Sequence, residues 1–217
     1  MSKPLPTDSL FSVPVKLIFT DLDGSLLDYN TYSFKPAETI LAELKLRGIP
    51  VIPITSKTMA ELLPLRRQLK NPHPFIVENG AAIYIPQGYF SQQPENSKSV
   101  ADYWVIMNAA PRLKWLKLLR SESTEFVGEY QTFDSISKEH GAEGIAELTG
   151  LTGKSAKLAN KRGFSEPVHW LGTAARKKVF IQKMQSVGAT VLQGGRFLNI
   201  GGDTDKGRAL LQQKNLF

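Results

Sequence analysis

Two acidic residues, one position apart, end a short apolar run in "LIFTDLDGSLLD" (17–28). If the chain stays extended, alternate side chains point the same way, so Asp21 and Asp23 share one side. Two carboxylates held together repel. A divalent cation is the usual remedy, and hard oxygen donors favour Mg²⁺. With such a cation in place, one carboxylate can attack phosphorus and the other can handle protons. Gly24 permits a tight turn, which predicts a backbone amide approaching a phosphate. A strand that simply ends in an Asp-Gly turn would leave the same letters.

Other residues suited to phosphate chemistry follow later apolar runs. Thr55 and Ser56 come after "IPVIPI", and a hydroxyl there can donate to a phosphoryl oxygen. Ser56 also stands where a helix N-cap is favoured. Glu78, Asn79 and Gly80 come after "PFIV". Lys206, in "DKG" (205–207), opens a late helical pattern, and its charge can balance a carboxylate and a phosphate together. An exposed helical lysine is the plainer alternative.

These residues converge only if the elements before them lie side by side. "VKLIFT" (15–20), "IPVIPIT" (49–55) and "PFIVENG" (74–80) read as buried strands with a turn after the third. Pro53 is awkward in a central strand. Helical patterns lie between them at 35–48, with Ile40, Leu41 and Leu44 on one face, and at 56–70, with Met59, Leu62, Leu63 and Leu69 inward. "AAIYIP" (81–86) runs back as a fourth strand. This order predicts an α/β doubly wound parallel sheet, Rossmann-like, whose chemistry gathers at the strands' carboxyl ends.

From residue 87 the text changes. Residues 87–99 are polar, as in a connection. Helical patterns follow at 110–121, 138–149, 152–161 and 174–187, with a strand at 167–171 and a hairpin at 189–202 around Gly194-Gly195. The expected organisation is a core of residues 1–86 and 203–217 with an α+β cap, 87–202, inserted into it.

Composition narrows the alternatives. The 217 residues include no cysteine, which excludes disulfides, thiolate metal sites and a cysteine nucleophile, and fits a cytoplasmic protein. The three histidines, His73, His140 and His169, have no metal-ligand spacing. No apolar run is long enough to span a bilayer, and the first ten residues lack the apolar stretch of a signal peptide. The net charge of +7 suits an anionic substrate. The basic residues are spread over helical stretches with no RNA-binding aromatic signature or zinc finger, so neither nucleic acid nor membrane is expected as a partner.

The motifs together resemble a known family. "FTDLDGSLLD" looks like motif I of the haloacid dehalogenase superfamily, "PITS" like motif II and "GGDTDKGRAL" like motif III. "ENGA" resembles a signature of its sugar-phosphatase branch with a large inserted cap. "R-x-F-S-E-P" (162–167) and "GGRFLNIGG" (194–202) are similar to the cap of the mannosyl-3-phosphoglycerate phosphatases. The resemblance implies Asp21 as nucleophile and Mg²⁺ ligand. It implies Asp23 as general acid/base, with its carbonyl also on the metal. Thr55 would hold the phosphoryl group, with Gly24, Ser56 and Asn79 beside it, and Lys206 would steady nucleophile and phosphate. Ser25 keeps the hydroxyl of the commoner threonine. Arg162, Ser165 and Glu166, with Gly194, Gly195 and Arg196, would grip a small phosphorylated sugar or glycerate. Surface ion pairing is the plainer reading of those arginines.

The family pattern continues with another strand and an acidic "G-D-x-x-N-D" motif, and the text after motif III, to "NLF", carries none. The expected consequences are weaker Mg²⁺ binding and an exposed edge on the 15–20 strand, open to a second copy in a homo-oligomer. The leading function is a Mg²⁺-dependent phosphomonoesterase acting through an aspartyl-phosphate. The alternatives are a generalist sugar-phosphate phosphatase and a weakly active or non-catalytic phosphosugar binder. A phospho-receiver domain would be shorter and lack the insertion.

Overall fold

The computed structural model describes residues 16–28 and 31–217. Val15, expected to open the first strand, lies outside them. Strand β1 (Ile18–Thr20) pairs in parallel with β2 (Val51–Pro53), with Ile18 opposite Val51 and Thr20 opposite Pro53. A parallel bridge from Ile54 to Ile76 joins β2 to β3 (Phe75–Val77). The chain then reverses into β4 (Ala82–Pro86), antiparallel to β3. Pro53 is tolerated because it closes its strand.

Two strands were not legible in the sequence. β5 (Ser97–Val100) and β6 (Tyr103–Met107) form a hairpin, and β6 pairs along the whole of β4. Residues 97–107 therefore extend the first sheet, and the expected boundary at residue 87 does not coincide with a break between sheets. β5 misled because "SKSV" is a polar edge strand without apolar alternation. β1 is the end strand on the opposite side among the described residues.

The faces of β3 alternate as a pleated strand requires. Phe75 and Val77 join Leu22, Leu26, Leu62, Ala82 and Val105 in one buried cluster. Ile76 joins Ile54, Ile83, Ile85, Ile106 and Ala209 in another. Each such side chain stabilises the fold by roughly 1.5–3 kcal/mol when fully buried.

Helix α1 (Glu38–Leu46) and helix α2 (Met59–Leu69) follow β1 and β2. α1 touches the core through Leu41, and Ile40, expected inward, stays half exposed because it sits one position round the helix from that contact. The cap of α2 is Thr58, not Ser56. Thr58 accepts from Glu61 N–H at 3.1 Å, and Glu61 Oε2 accepts from Thr58 N–H at 2.8 Å. This capping box releases Ser56 from structural duty. The Thr58 hydroxyl also donates to Leu158 O at 3.1 Å. Thr58→Ala is expected to lower stability by about 1–2 kcal/mol, seen as a lower urea midpoint.

The next stretch builds a second, antiparallel sheet. Its elements are α3 (Arg112–Glu122), β7 (Tyr130–Thr132), α4 (Phe133–Thr149), α5 (Gly153–Ala159), β8 (Ser165–Trp170), α6 (Ala174–Ser186), β9 (Thr190–Gln193) and β10 (Phe197–Gly201). The strand order is β7-β8-β10-β9. α4 starts five residues earlier than expected and kinks at Gly141, whose φ is +65°. Trp115, Leu119, Phe126, Phe180 and Met184 fill the space against Val168, Leu198 and Ile200. Helix α7 (Lys206–Lys214) then returns to pack Ala209 on the first sheet.

Candidate active site

Leu22 is fully buried, and Leu26 and Leu27 are buried with it. These anchors leave Asp21 and Asp23 exposed on either side of Leu22, as strand alternation requires. The turn between them and Leu27 is closed by Leu27 N–H to Leu22 O at 2.8 Å and Gly24 N–H to Leu27 O at 3.0 Å. The second bond corrects an expectation. Gly24 supplies its φ of +71° to the turn, but its amide is engaged there and is not offered to a phosphate.

Each carboxylate carries a lysine. Lys206 Nζ lies 2.8 Å from Asp21 Oδ2, and Asp21 Oδ1 accepts Leu22 N–H at 2.7 Å. Lys57 Nζ lies 3.0 Å from Asp23 Oδ2. The sequence reading missed Lys57, although its place directly after the Thr55-Ser56 pair was a usable signal. Both pairs are partly exposed, and ion pairs in that setting contribute at most about 1 kcal/mol to stability. Their value lies in the charge they hold around two carboxylates.

Thr55 is fully buried. Its Oγ1 accepts Lys57 N–H at 3.1 Å and its carbonyl accepts Asn79 N–H at 3.0 Å. Its hydroxyl proton remains available to an oxygen. The turn after β3 is left-handed at three successive residues, with φ of +47° at Glu78, +59° at Asn79 and +92° at Gly80. Glu78 and Asn79 adopt a conformation that costs a non-glycine residue about 1–2 kcal/mol.

Gly80 is required for a second reason. A Cβ there would stand 2.5 Å from the carbonyl oxygen of Asp205 and 3.1 Å from Ala209 Cβ. The bare glycine lets the first turn of α7 rest on this loop, and Asp205 caps that helix through Arg208 N–H at 2.8 Å. Lys206 is thereby carried to Asp21 from 185 residues away. Gly80→Ala is expected to push α7 off the turn. It should weaken the Lys206–Asp21 pair and lower stability by about 1–3 kcal/mol. Thermal unfolding and any phosphatase turnover would both report it.

A cleft of about 430 Å³ opens between this rim and the second sheet. Ser56 and Asn79 line it from one side, and Phe133, Arg162, Pro167, Gly194, Phe197 and Asn199 from the other. Asp21, Asp23 and Lys206 are not on its wall; Ser56 and Asn79 connect it to Thr55. The cap residues expected to grip substrate divide. Arg162 faces the cleft. Ser165 is buried, donating to Glu78 Oε2 at 2.7 Å and accepting from Arg162 Nε at 2.9 Å, so its hydroxyl is committed.

Glu166 has no exposure at all. Its Oε2 pairs with Arg112, and its Oε1 accepts Asp134 N–H at 2.9 Å at the start of α4. The same Arg112 donates to Asn160 O at 2.7 Å and to Asn160 Oδ1 at 3.0 Å. Burial pushes the nearby Asp134 carboxyl up, but the Lys138 hydrogen bond and charge, with Arg112 and Arg120, hold it below the usual carboxylate range. Glu166 is thus part of the module's own packing and not a substrate ligand. Gly195 and Arg196 are exposed on the β9–β10 loop, where Arg196 donates to Leu148 O at 3.0 Å. Of that loop only Gly194 reaches the cleft.

The oxygen donors of Asp21 and Asp23 suit Mg²⁺, which is often held by one or two carboxylates, with waters and a substrate phosphate completing its shell. Among the described residues, no third Asp, Glu or His joins them to make a larger ligand cluster.

Residues 18–147 match the haloacid dehalogenase-like hydrolase family. The chain belongs to that family. As a haloacid dehalogenase-like hydrolase it is 36% identical, over 89% of its length and 70% of the relative's, to a glucosyl-3-phosphoglycerate/mannosyl-3-phosphoglycerate phosphatase of Methanococcoides burtonii. It is 33% identical, over 90% of its length and 75% of the relative's, to a mannosyl-3-phosphoglycerate phosphatase of Pyrococcus horikoshii. Its fold is similar to that of a haloacid dehalogenase-like hydrolase from Bacillus subtilis, with a TM-score of 0.59 at 15% identity, covering 93% of this chain and 78% of that one. A second such hydrolase, from Bacteroides thetaiotaomicron, gives 0.62 at 15% identity, with 94% and 77% covered. The α/β core with its inserted module is therefore the fold of this family. No helix among the described residues is long and apolar enough to cross a membrane.

Proposed function

We propose that this phosphatase of the haloacid dehalogenase superfamily hydrolyses the phosphomonoester of a small phosphorylated sugar or glycerate. The names of its relatives point to mannosyl-3-phosphoglycerate or its glucosyl counterpart. The observation that carries the reading is the 2.8 Å pair of Asp21 and Lys206, which joins a candidate nucleophile to a cation across the whole chain. Residues 108–202 are assigned as the substrate-selecting cap, their start moved from residue 87 because β5 and β6 pair with the first sheet. Cytoplasmic residence is proposed on the lack of cysteine.

In this reaction an Asp21 carboxylate oxygen attacks phosphorus, and the bond from phosphorus to the ester oxygen breaks. Asp23 gives its proton to that oxygen, which leaves as the alcohol. Asp23 then takes a proton from water, whose oxygen attacks the same phosphorus. The bond to Asp21 breaks and inorganic phosphate departs. Thr55 holds a phosphoryl oxygen through its hydroxyl. Lys206 opposes the charge on Asp21 and phosphate, and Lys57 keeps Asp23 oriented. Mg²⁺, held by Asp21 and the Asp23 carbonyl, would supply further positive charge against the phosphoryl oxygens.

The test is phosphate release from mannosyl-3-phosphoglycerate, its glucosyl analogue and a panel of simple sugar phosphates, with Mg²⁺ and with chelator. Release that needs Mg²⁺ and favours the glycerate-bearing compounds is expected. Equal rates across the panel would make the enzyme a generalist. Calorimetric binding without turnover at any Mg²⁺ concentration would make it a phosphosugar binder instead.

A further inference from the structure

The proposed reaction leaves one buried carboxylate without a chemical task. Glu78 is 3% exposed and sits at a positive φ directly after β3. Both its oxygens are spent on a single loop of the inserted module. Oε1 accepts Gly163 N–H at 2.7 Å, and Oε2 accepts Phe164 N–H at 3.2 Å and the Ser165 hydroxyl at 2.7 Å. Arg162 Nε stands 3.4 Å from Oε2. The Glu78 N–H donates to Lys57 O at 3.0 Å, tying this carboxylate to the rim that carries the chemistry. A buried charge served by several donors holds them in one geometry, since any other would leave it unpaired.

Arg162 is held from both sides of the cleft. Its Nε donates to Ser165 Oγ at 2.9 Å and its Nη2 to Ser56 O at 3.1 Å. Among the described residues Nη1 has no partner, and the side chain lines the cleft. A guanidinium with a free edge is well matched to a carboxylate.

We propose that Glu78 is a positioning residue: it locks the 162–165 loop onto the turn after β3 and so aims the Arg162 guanidinium into the cleft, as the anchor for a carboxylate on the phosphorylated substrate. The role in turnover rests on the phosphatase reading above; the lock itself does not.

Glu78→Gln tests both parts. Glutamine keeps the size, but its NH₂ would face a group that must donate, so at least one bond to the loop is lost. In the full chain with Mg²⁺, kcat/KM would be compared on 3-phosphoglycerate, which carries a carboxylate, and on p-nitrophenyl phosphate, which does not. The ratio of the two is expected to fall about tenfold in the variant, chiefly through KM. A general loosening would lower both in the same proportion, and an unchanged ratio overturns the anchor. Hydrogen exchange at the Gly163 and Phe164 amides is a second readout that needs no activity. It should quicken about tenfold in the variant without a matching fall in global stability. Unchanged exchange overturns the lock. Wild-type protein that releases no phosphate from either compound would defeat the phosphatase reading, with the lock still decided by exchange.

Discussion

Asp21→Asn is expected to abolish Mg²⁺-dependent phosphate release, lowering it by about four orders of magnitude. Asparagine is nearly isosteric, and its amide oxygen can still accept Leu22 N–H, which sits 2.7 Å from Oδ1 in the native chain. An amide oxygen is not a nucleophile toward phosphorus. The substitution also removes the negative charge facing Lys206, which would then meet the substrate phosphate without its counter-charge. The half-exposed pair contributes at most about 1 kcal/mol to stability, so the variant should melt close to the native temperature. The two measurements together separate loss of chemistry from loss of fold. Retention of activity within about tenfold would remove Asp21 from the nucleophile's role.

The second large effect concerns stability. Glu166→Ala is expected to destabilise the protein by about 3–5 kcal/mol, measured as a shift in the urea midpoint. The native carboxylate is fully buried between Arg112 and the first turn of α4, where a negative charge is favoured. Without it, a guanidinium that is only 15% exposed loses its counter-charge and keeps Asn160 alone. Replacing both partners with apolar residues, Arg112→Met with Glu166→Leu, should recover part of the loss because no charge is then left buried. A Glu166 that gripped substrate would behave in the opposite way, with a raised KM and an unchanged midpoint. The contrast matters because family resemblance alone puts Glu166 beside Ser165 and Arg162 as a substrate residue. Neighbours in sequence on β8 point to opposite faces, and that pleat sends Glu166 into the module's interior.

Local signals carried much of the core. Apolar runs with period two, a glycine after a helical pattern and a hydroxyl before one are written within a few residues of each other, so β1 to β4, α1 and α2 could be read from text. The juxtaposition of Asp21 with Asp23 was also local, since it needs only an extended chain with Leu22 turned inward. β5 and β7 were not legible. Each is short, and its place in a sheet depends on a partner strand supplied from elsewhere.

What the amino-acid sequence determined by itself is the family, the order of core elements, the aspartate pair and the set of residues that could meet a phosphate. Those features are encoded by residue type and short-range spacing. The tertiary structure decided which of the candidates are free to act. Lys57 reaches Asp23, and Gly80 admits α7 so that Lys206 reaches Asp21. Gly24 closes its own turn, Ser165 and Glu166 are consumed inside the protein, and Arg162 keeps an unpaired edge in the cleft. Those outcomes depend on hydrogen-bond partners many residues apart, often in the other module. A buried donor or acceptor takes whatever partner the packing brings to it.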